Sequence, residues 1–226
     1  MLKSKYFIIL VLLIFSCTMI DDKGYALMNQ KENIDNISLR DKIAQMIMIR
    51  VDGHFYNDDH WKPKDINKLI FEHKIGGLII FNGSVHGTYH KINSYQNISE
   101  IPLFIAADYE RGLYQQIGDN STLFPSNMAI AATGNMSYSY NQGKITALEA
   151  KSLGVNMIFA PVLDINNNLN NPIINLRSYG GTPETVIKFG LPFIDGIQDE
   201  GLIACPKHYP GHGNTSTDSH TSLPII

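Results

Sequence analysis

The feature that most constrains this chain is its alternation of short apolar runs with longer stretches of helical length. Ile75–Phe81 (IGGLIIF), Leu103–Ala107 (LFIAA), Val155–Ala160 (VNMIFA) and Gly201–Ala204 (GLIA) are too short for buried helices. None of the four alternates apolar with polar residues as a half-solvated strand does. Ile75–Phe81 is a continuous apolar run, which reads as a strand covered on both faces, the habit of parallel sheets. Helical stretches separate the runs: Lys62–His73 with Pro63 in its first turn, His86–Ile98, Tyr140–Leu153 closed by Gly154, and Thr182–Glu200. Thr182 is a cap candidate and Pro183 suits the first helical position. One more unit opens the domain. Ser38 is an N-cap candidate with Asp41 three residues on, and SLRDKIAQMIMIRV runs from a short helix into a strand ending near Val51. Repeated strand–helix units of this kind predict an α/β fold with a parallel sheet.

The polar residues choose between two such folds. Asp108, Asp164 and the pair Lys207-His208 each fall just beyond the C-terminal end of a predicted strand. In a (β/α)8 TIM barrel that end carries the site, so a barrel is favoured over a doubly wound sheet. There is no dinucleotide-binding glycine fingerprint, no P-loop and no internal repeat.

Length and charge exclude other classes. The chain has 226 residues, 44% hydrophobic and 17% charged, with net charge −3. It is long enough for one domain with a real core and has no basic excess for nucleic acid. Its first residues read as an export signal rather than as fold. Lys3 and Lys5 precede an apolar run from Tyr6 to Phe15, roughly half the length that spans a bilayer. Ile14-Phe15-Ser16-Cys17 resembles a lipobox, which makes residues 1–16 a signal peptide and Cys17 a lipid-bearing residue. Cleavage after Gly24-Tyr25-Ala26 and an uncleaved anchor are the alternatives. The first two readings place the protein outside the cytoplasm, in the cell envelope, with membrane contact through Cys17 if the lipobox is used. Residues 17–37 are polar and aperiodic and read as a tether. With Cys17 lipidated, Cys205 has no disulfide partner, and its apolar setting predicts a small core residue.

The densest chemistry lies in Cys205–Pro224, CPKHYPGHGNTSTDSHTSLP. Pro210, Gly211 and Gly213 break any periodicity, so this is a loop leaving a buried strand, where functional groups concentrate. Asp218 and His220 flank one serine, and a carboxylate beside an imidazole orients it and raises its basicity. His208, His212, Asp218 and His220 could also be metal ligands, but their spacing matches no common zinc signature. No cofactor is expected.

The string Lys207-His208-Tyr209-Pro210-Gly211-His212-Gly213 followed by Asp218-Ser219-His220 resembles the signature loop of family 3 glycoside hydrolases. It is most similar to the β-N-acetylglucosaminidase branch, where KH(F/Y)PGHG precedes DSH. Asp108-Tyr109-Glu110-Arg111-Gly112-Leu113-Tyr114-Gln115-Gln116 resembles the family's D-x-E-G-G-x-V-x-R segment, with Arg111 replacing a glycine and Gln116 the arginine. Asn171-Pro172-Ile173-Ile174-Asn175-Leu176-Arg177-Ser178-Tyr179-Gly180 resembles its NPxIxxRSFG loop. The resemblance implies that Asp108, Arg177, Lys207 and His208 bind a sugar, that His220 is the general acid/base and that Asp218 is its partner. It implies that Asp164 shapes a loop, outside the sugar contacts. It further implies a cis peptide within Lys207–Pro210, with Tyr209–Pro210 the cheaper candidate.

Residues 38–226 are thus expected to form about the first five strands of an eight-stranded family 3 barrel. A retaining glycosidase also needs a carboxylate nucleophile. The family's lies on a later strand, and nothing after Leu223-Pro224 resembles that strand. The expected function is hydrolysis of β-linked N-acetylglucosamine, as in peptidoglycan fragments, by a protein cut before its nucleophile and unable to work alone. The alternatives are a non-catalytic sugar-binding lipoprotein or gene remnant, and a metal-dependent hydrolase.

Overall fold

The computed structural model describes residues 37–56, 61–118 and 120–225. The expected signal peptide, Cys17 and most of the tether lie outside the described residues. The chain divides into two units, residues 1–42 and 43–226. In the first, the Ser38 hydroxyl accepts from the Asp41 N–H at 3.1 Å and the Ser38 carbonyl from the Lys42 N–H. Ser38 therefore caps α1 (Leu39–Gln45) as its sequence position predicts.

The second unit is built on five parallel strands: β1 (Met48–Gly53), β2 (Gly77–Gly83), β3 (Phe104–Ala107), β4 (Met157–Ile158) and β5 (Ile203–Ala204). Their spatial order is their chain order. Neighbouring crossovers that always step the same way are the barrel pattern, whereas a doubly wound sheet reverses. Between the strands stand α2 (Trp61–Phe71), α3 (Val85–Ile98), α4 (Tyr114–Ile117), α5 (Asn127–Ala132), α6 (Met136–Ser152) and α7 (Pro183–Gln198).

Register shows which face is the core. Val51, Ile80, Ala107, Ile158 and Ala204 are successive cross-strand partners. All five belong to the main apolar cluster, four of them fully buried. Ile70, Ile92, Ala147, Ala150, Phe193 and Ile197 close over this row from the helices. Each large side chain so buried stabilises the fold by about 1.5–3 kcal/mol. The adjacent row, Arg50, Ile79, Ala106, Met157 and Ile203, points to the other face. There Phe104 and Ile203 remain exposed.

Several expectations need correction. Cys205 is exposed rather than a core residue. β5 ends at Ala204, which packs on the core, and one step further the side chain falls on the opposite face. Strand β4 is two residues long, not six, and Pro161 just beyond it has no N–H to offer a ladder. The track resumes at a single bridge between Val162 and Lys207, where Leu163 N–H donates to the Lys207 carbonyl at 2.7 Å. Helix α6 starts at Met136, capped by Asn135, ahead of the expected Tyr140. Helices α4 and α5 were not expected, being one or two turns long and too short to show a period. The expected cis bond is present twice, at Lys207-His208 and Tyr209-Pro210, with a third at Ala160-Pro161.

Candidate active site

Four chain segments meet beyond the C-terminal ends of β3, β4 and β5, and each carries one of the motifs singled out in the sequence. Asp108 follows β3 directly. Its carboxylate accepts from the Lys207 ammonium at 2.5 Å. The same ammonium lies 2.8 Å from Glu110 Oε1. Lys207 is positioned by backbone rather than by its long stem: its N–H donates to the Pro161 carbonyl and its carbonyl accepts from Leu163.

Glu110 is the hub. Arg177 grips it in a two-pronged fork, Nε to Oε2 at 3.0 Å and Nη2 to Oε1 at 2.8 Å. Such a fork matches guanidinium and carboxylate geometry and resists rotation. The Glu110 side chain is only 6% exposed, so its charge is held almost wholly by protein. Burial alone pushes a carboxyl up. Here the Arg177 hydrogen bond and the Lys207 and Arg177 charges override it and hold Glu110 at about 2. Two neutral amides fix the frame: Gln142 Nε2 donates to the Glu110 carbonyl at 3.1 Å and Asn127 Nδ2 to the Arg177 carbonyl at 2.8 Å.

Asp164 is the second buried carboxylate, with no exposed side-chain surface. Its Oδ2 lies 2.6 Å from His208 Nδ1 and its Oδ1 accepts from the His212 N–H at 2.6 Å. Burial again works against the charge, and the His208 and His212 hydrogen bonds bring the carboxyl below its ordinary range. Ser178 Oγ donates to the Asp164 carbonyl, which ties this residue to the loop carrying Arg177. Asn171 ties the Arg177 loop to the one that follows His208: its Nδ2 donates to the His212 and Thr215 carbonyls, and its Oδ1 accepts from the Ile173 and Ile174 N–H groups. On the far side of the His208 ring, Nε2 is 3.4 Å from Arg177 Nη2.

The structure thus brings Asp108, Arg177, Lys207 and His208 into one connected network, as the sequence motifs imply. It does not join His220 to that network. His220 Nδ1 is 2.7 Å from Asp218 Oδ1 and the His220 N–H donates to the same oxygen. The His220 side chain is 76% exposed, and among the described residues these are its hydrogen bonds. The two hydrogen bonds from His220 lower the Asp218 carboxyl. The two departures from the motif have local uses. Arg111 Nε donates to the Phe124 carbonyl, and Gln116 Oε1 accepts from the N–H of Asn82, near the end of β2.

Sequence reasoning gave Glu110 no binding role, and it read Asp164 as shaping a loop, in keeping with its bonds to Ser178 and His212. The signal for Glu110 was its place two residues after Asp108 at a strand end. Its partner Arg177 lies 67 residues away, a pairing no local pattern discloses. Among the described residues, no three His, Cys, Asp or Glu side chains come together as metal ligands.

Fold and site define a class: a barrel-type α/β domain with a buried, charge-compensated polar site at the C-terminal strand ends. The chain belongs to glycosyl hydrolase family 3, whose N terminal domain matches residues 38–226. It is 39% identical over 177 residues to β-hexosaminidase A of Pseudoalteromonas piscicida, covering 73% of this chain and 29% of that protein. Among solved structures it superposes on a family 3 β-N-acetylglucosaminidase from Paenibacillus sp. str. FPU-7 with TM-score 0.76 at 37% identity, covering 84% of this chain and 36% of the other. NagZ from Neisseria gonorrhoeae, solved in complex with N-trifluoroacetyl-D-glucosamine, matches with TM-score 0.67 at 25% identity, covering 79% and 53%. The chain therefore spans about a third to a half of the length of these proteins.

Proposed function

We propose that this chain carries the sugar-binding half of a family 3 β-N-acetylhexosaminidase site, acting on terminal β-linked N-acetylglucosamine as found in peptidoglycan fragments. The observation that carries the reading is the network of Asp108, Lys207, Arg177 and His208 around Glu110. A sugar presents hydroxyls that both donate and accept. Asp108 is acceptor-only when ionised, while Lys207 and Arg177 are donor-only. Set side by side, they can hold adjacent hydroxyls in both directions. Of the relatives named above, one is called a β-hexosaminidase, one a β-N-acetylglucosaminidase, and NagZ is complexed with N-trifluoroacetyl-D-glucosamine.

In this reading His220 is the general acid/base and Asp218 orients it. The close contact between Asp218 and the His220 ring supports that pairing. The exposed position of His220 implies that its loop must move onto the sugar to act. Asp108 and Glu110 are both neutralised by cations, which suits binding better than nucleophilic attack. That observation favours a second reading, in which the chain by itself binds sugar without turnover. Export and lipid attachment at Cys17 complete the proposal and place the site in the cell envelope.

Calorimetric titration of the chain with N-acetylglucosamine tests the site. Binding should be measurable and should fall at least roughly tenfold in Lys207→Ala, which loses a charge-assisted hydrogen bond. Equal affinity in the variant would remove the site from this network. Turnover of a chromogenic β-N-acetylglucosaminide that disappears in His220→Ala would choose the catalytic reading over the binding one.

A further inference from the structure

We infer that Asp164 is a positioning residue that fixes the tautomer of His208, so that His208 offers Nε2 as an acceptor to a ligand hydroxyl. What each neighbour of the ring can donate or accept decides where its proton sits. An ionised carboxylate has no proton to give, so the 2.6 Å contact with Asp164 Oδ2 requires a proton on His208 Nδ1. A guanidinium has no lone pair to offer. Arg177 Nη2, at 3.4 Å from Nε2, therefore faces a nitrogen that accepts. The two contacts agree on one tautomer, with the proton on Nδ1 and the lone pair on Nε2.

Asp164 is built for this. It is fully buried, and its other oxygen is occupied by the His212 N–H at 2.6 Å, so the carboxylate cannot rotate without breaking a second bond. Its own carbonyl is held by Ser178. The imidazole meanwhile is 35% exposed. The long Arg177 contact leaves the Nε2 lone pair weakly used, which suits exchange for a ligand hydroxyl at normal hydrogen-bond distance. His208 and Lys207 then divide the labour on one sugar, the imidazole accepting a hydroxyl proton and the ammonium donating to an oxygen. The ligand half of this inference rests on the sugar-site reading; the tautomer half stands on the apo geometry alone.

Asp164→Asn separates positioning from packing. The asparagine oxygen can keep the His212 N–H bond that holds the loop, while its amide nitrogen becomes a donor opposite His208 Nδ1. The ring must then place its proton on Nε2. The experiment is nitrogen-15 imidazole spectroscopy of the 226-residue chain, with His208 assigned by loss of its signals in His208→Gln. The wild-type ring should show a protonated Nδ1 and a bare Nε2, and Asp164→Asn should invert the pattern. Titrating N-acetylglucosamine should shift the wild-type Nε2 signal, and the variant should bind about tenfold more weakly, as its Nε2–H now opposes the Arg177 Nη2 donor and no longer accepts from the ligand hydroxyl. A wild-type ring with its proton on Nε2 overturns the inference, whether or not the variant folds. So does a folded Asp164→Asn chain whose His208 pattern is unchanged. Inversion without any response to N-acetylglucosamine upholds Asp164 as the tautomer-setting group and overturns the sugar-site reading.

Discussion

At the scale of single residues, the site is organised by carboxylates whose charges are spoken for. Glu110 is held at about 2, against an ordinary 4.5, by Arg177 and Lys207 acting against its burial. Because the folded-state value is depressed, the unfolded chain binds more protons through this range. The stability it confers is full above about pH 4.5 and is lost as pH falls toward 2. The integrated effect is about 3 kcal/mol. Glu110→Gln should flatten that acid limb in denaturant titrations run at several pH values. It should also lower stability at neutral pH by about 2–4 kcal/mol, because it leaves the partly buried Arg177 without its carboxylate and Lys207 with Asp108 alone. An unchanged acid limb in the variant would mean that another group drives it. Asp108, Arg177, Lys207 and His208 were legible in the sequence because each sits in a contiguous string with a distinctive order. The hub role of Glu110 and the grip of Asp164 on His208 were not. Both depend on which loops the barrel brings together, and a carboxylate in a sequence does not announce its partner.

At the scale of elements, periodicity located the long helices and the first three strands, and missed what lacks a period. Helices α4 and α5 are too short to repeat, and β4 and β5 are cut to two residues each. The α6–α7 pair was visible as two helices, but its crossing was not. Gly143 and Gly196 look like weak points for a helix. In the fold they are the contact: a Cβ at Gly143 would lie 2.2 Å from the Phe193 carbonyl oxygen, and one at Gly196 would lie 2.3 Å from the Tyr140 carbonyl oxygen. The helices approach backbone to backbone there and cannot admit a methyl group. Gly143→Ala should therefore destabilise by about 1–3 kcal/mol, despite alanine's better helix propensity. Ala147→Gly, in a side-chain-packed turn of the same helix, serves as the comparison. A gain in the midpoint of chemical unfolding for Gly143→Ala would show that the helices sit further apart. The same crossing carries Gln142, which holds the Glu110 carbonyl, so a shift here should also weaken sugar binding.

At the scale of the whole molecule, five parallel strands in chain order give a barrel-type wall with its polar site along one rim. The class was legible because apolar runs and strand-end polar residues recur in step. Among the described residues β1 and β5 each pair on one side only. Every group assigned to sugar binding lies on the β3–β5 side of that wall or in the loops just beyond it. The central claim is that this rim is a saccharide site, and a crystal structure of the chain with N-acetylglucosamine tests it most directly. The account predicts a sugar ring with hydroxyls within hydrogen-bonding distance of Asp108 and Lys207, and one hydroxyl donating to His208 Nε2. A sugar bound away from this rim, or a rim left empty at saturating N-acetylglucosamine, would contradict it.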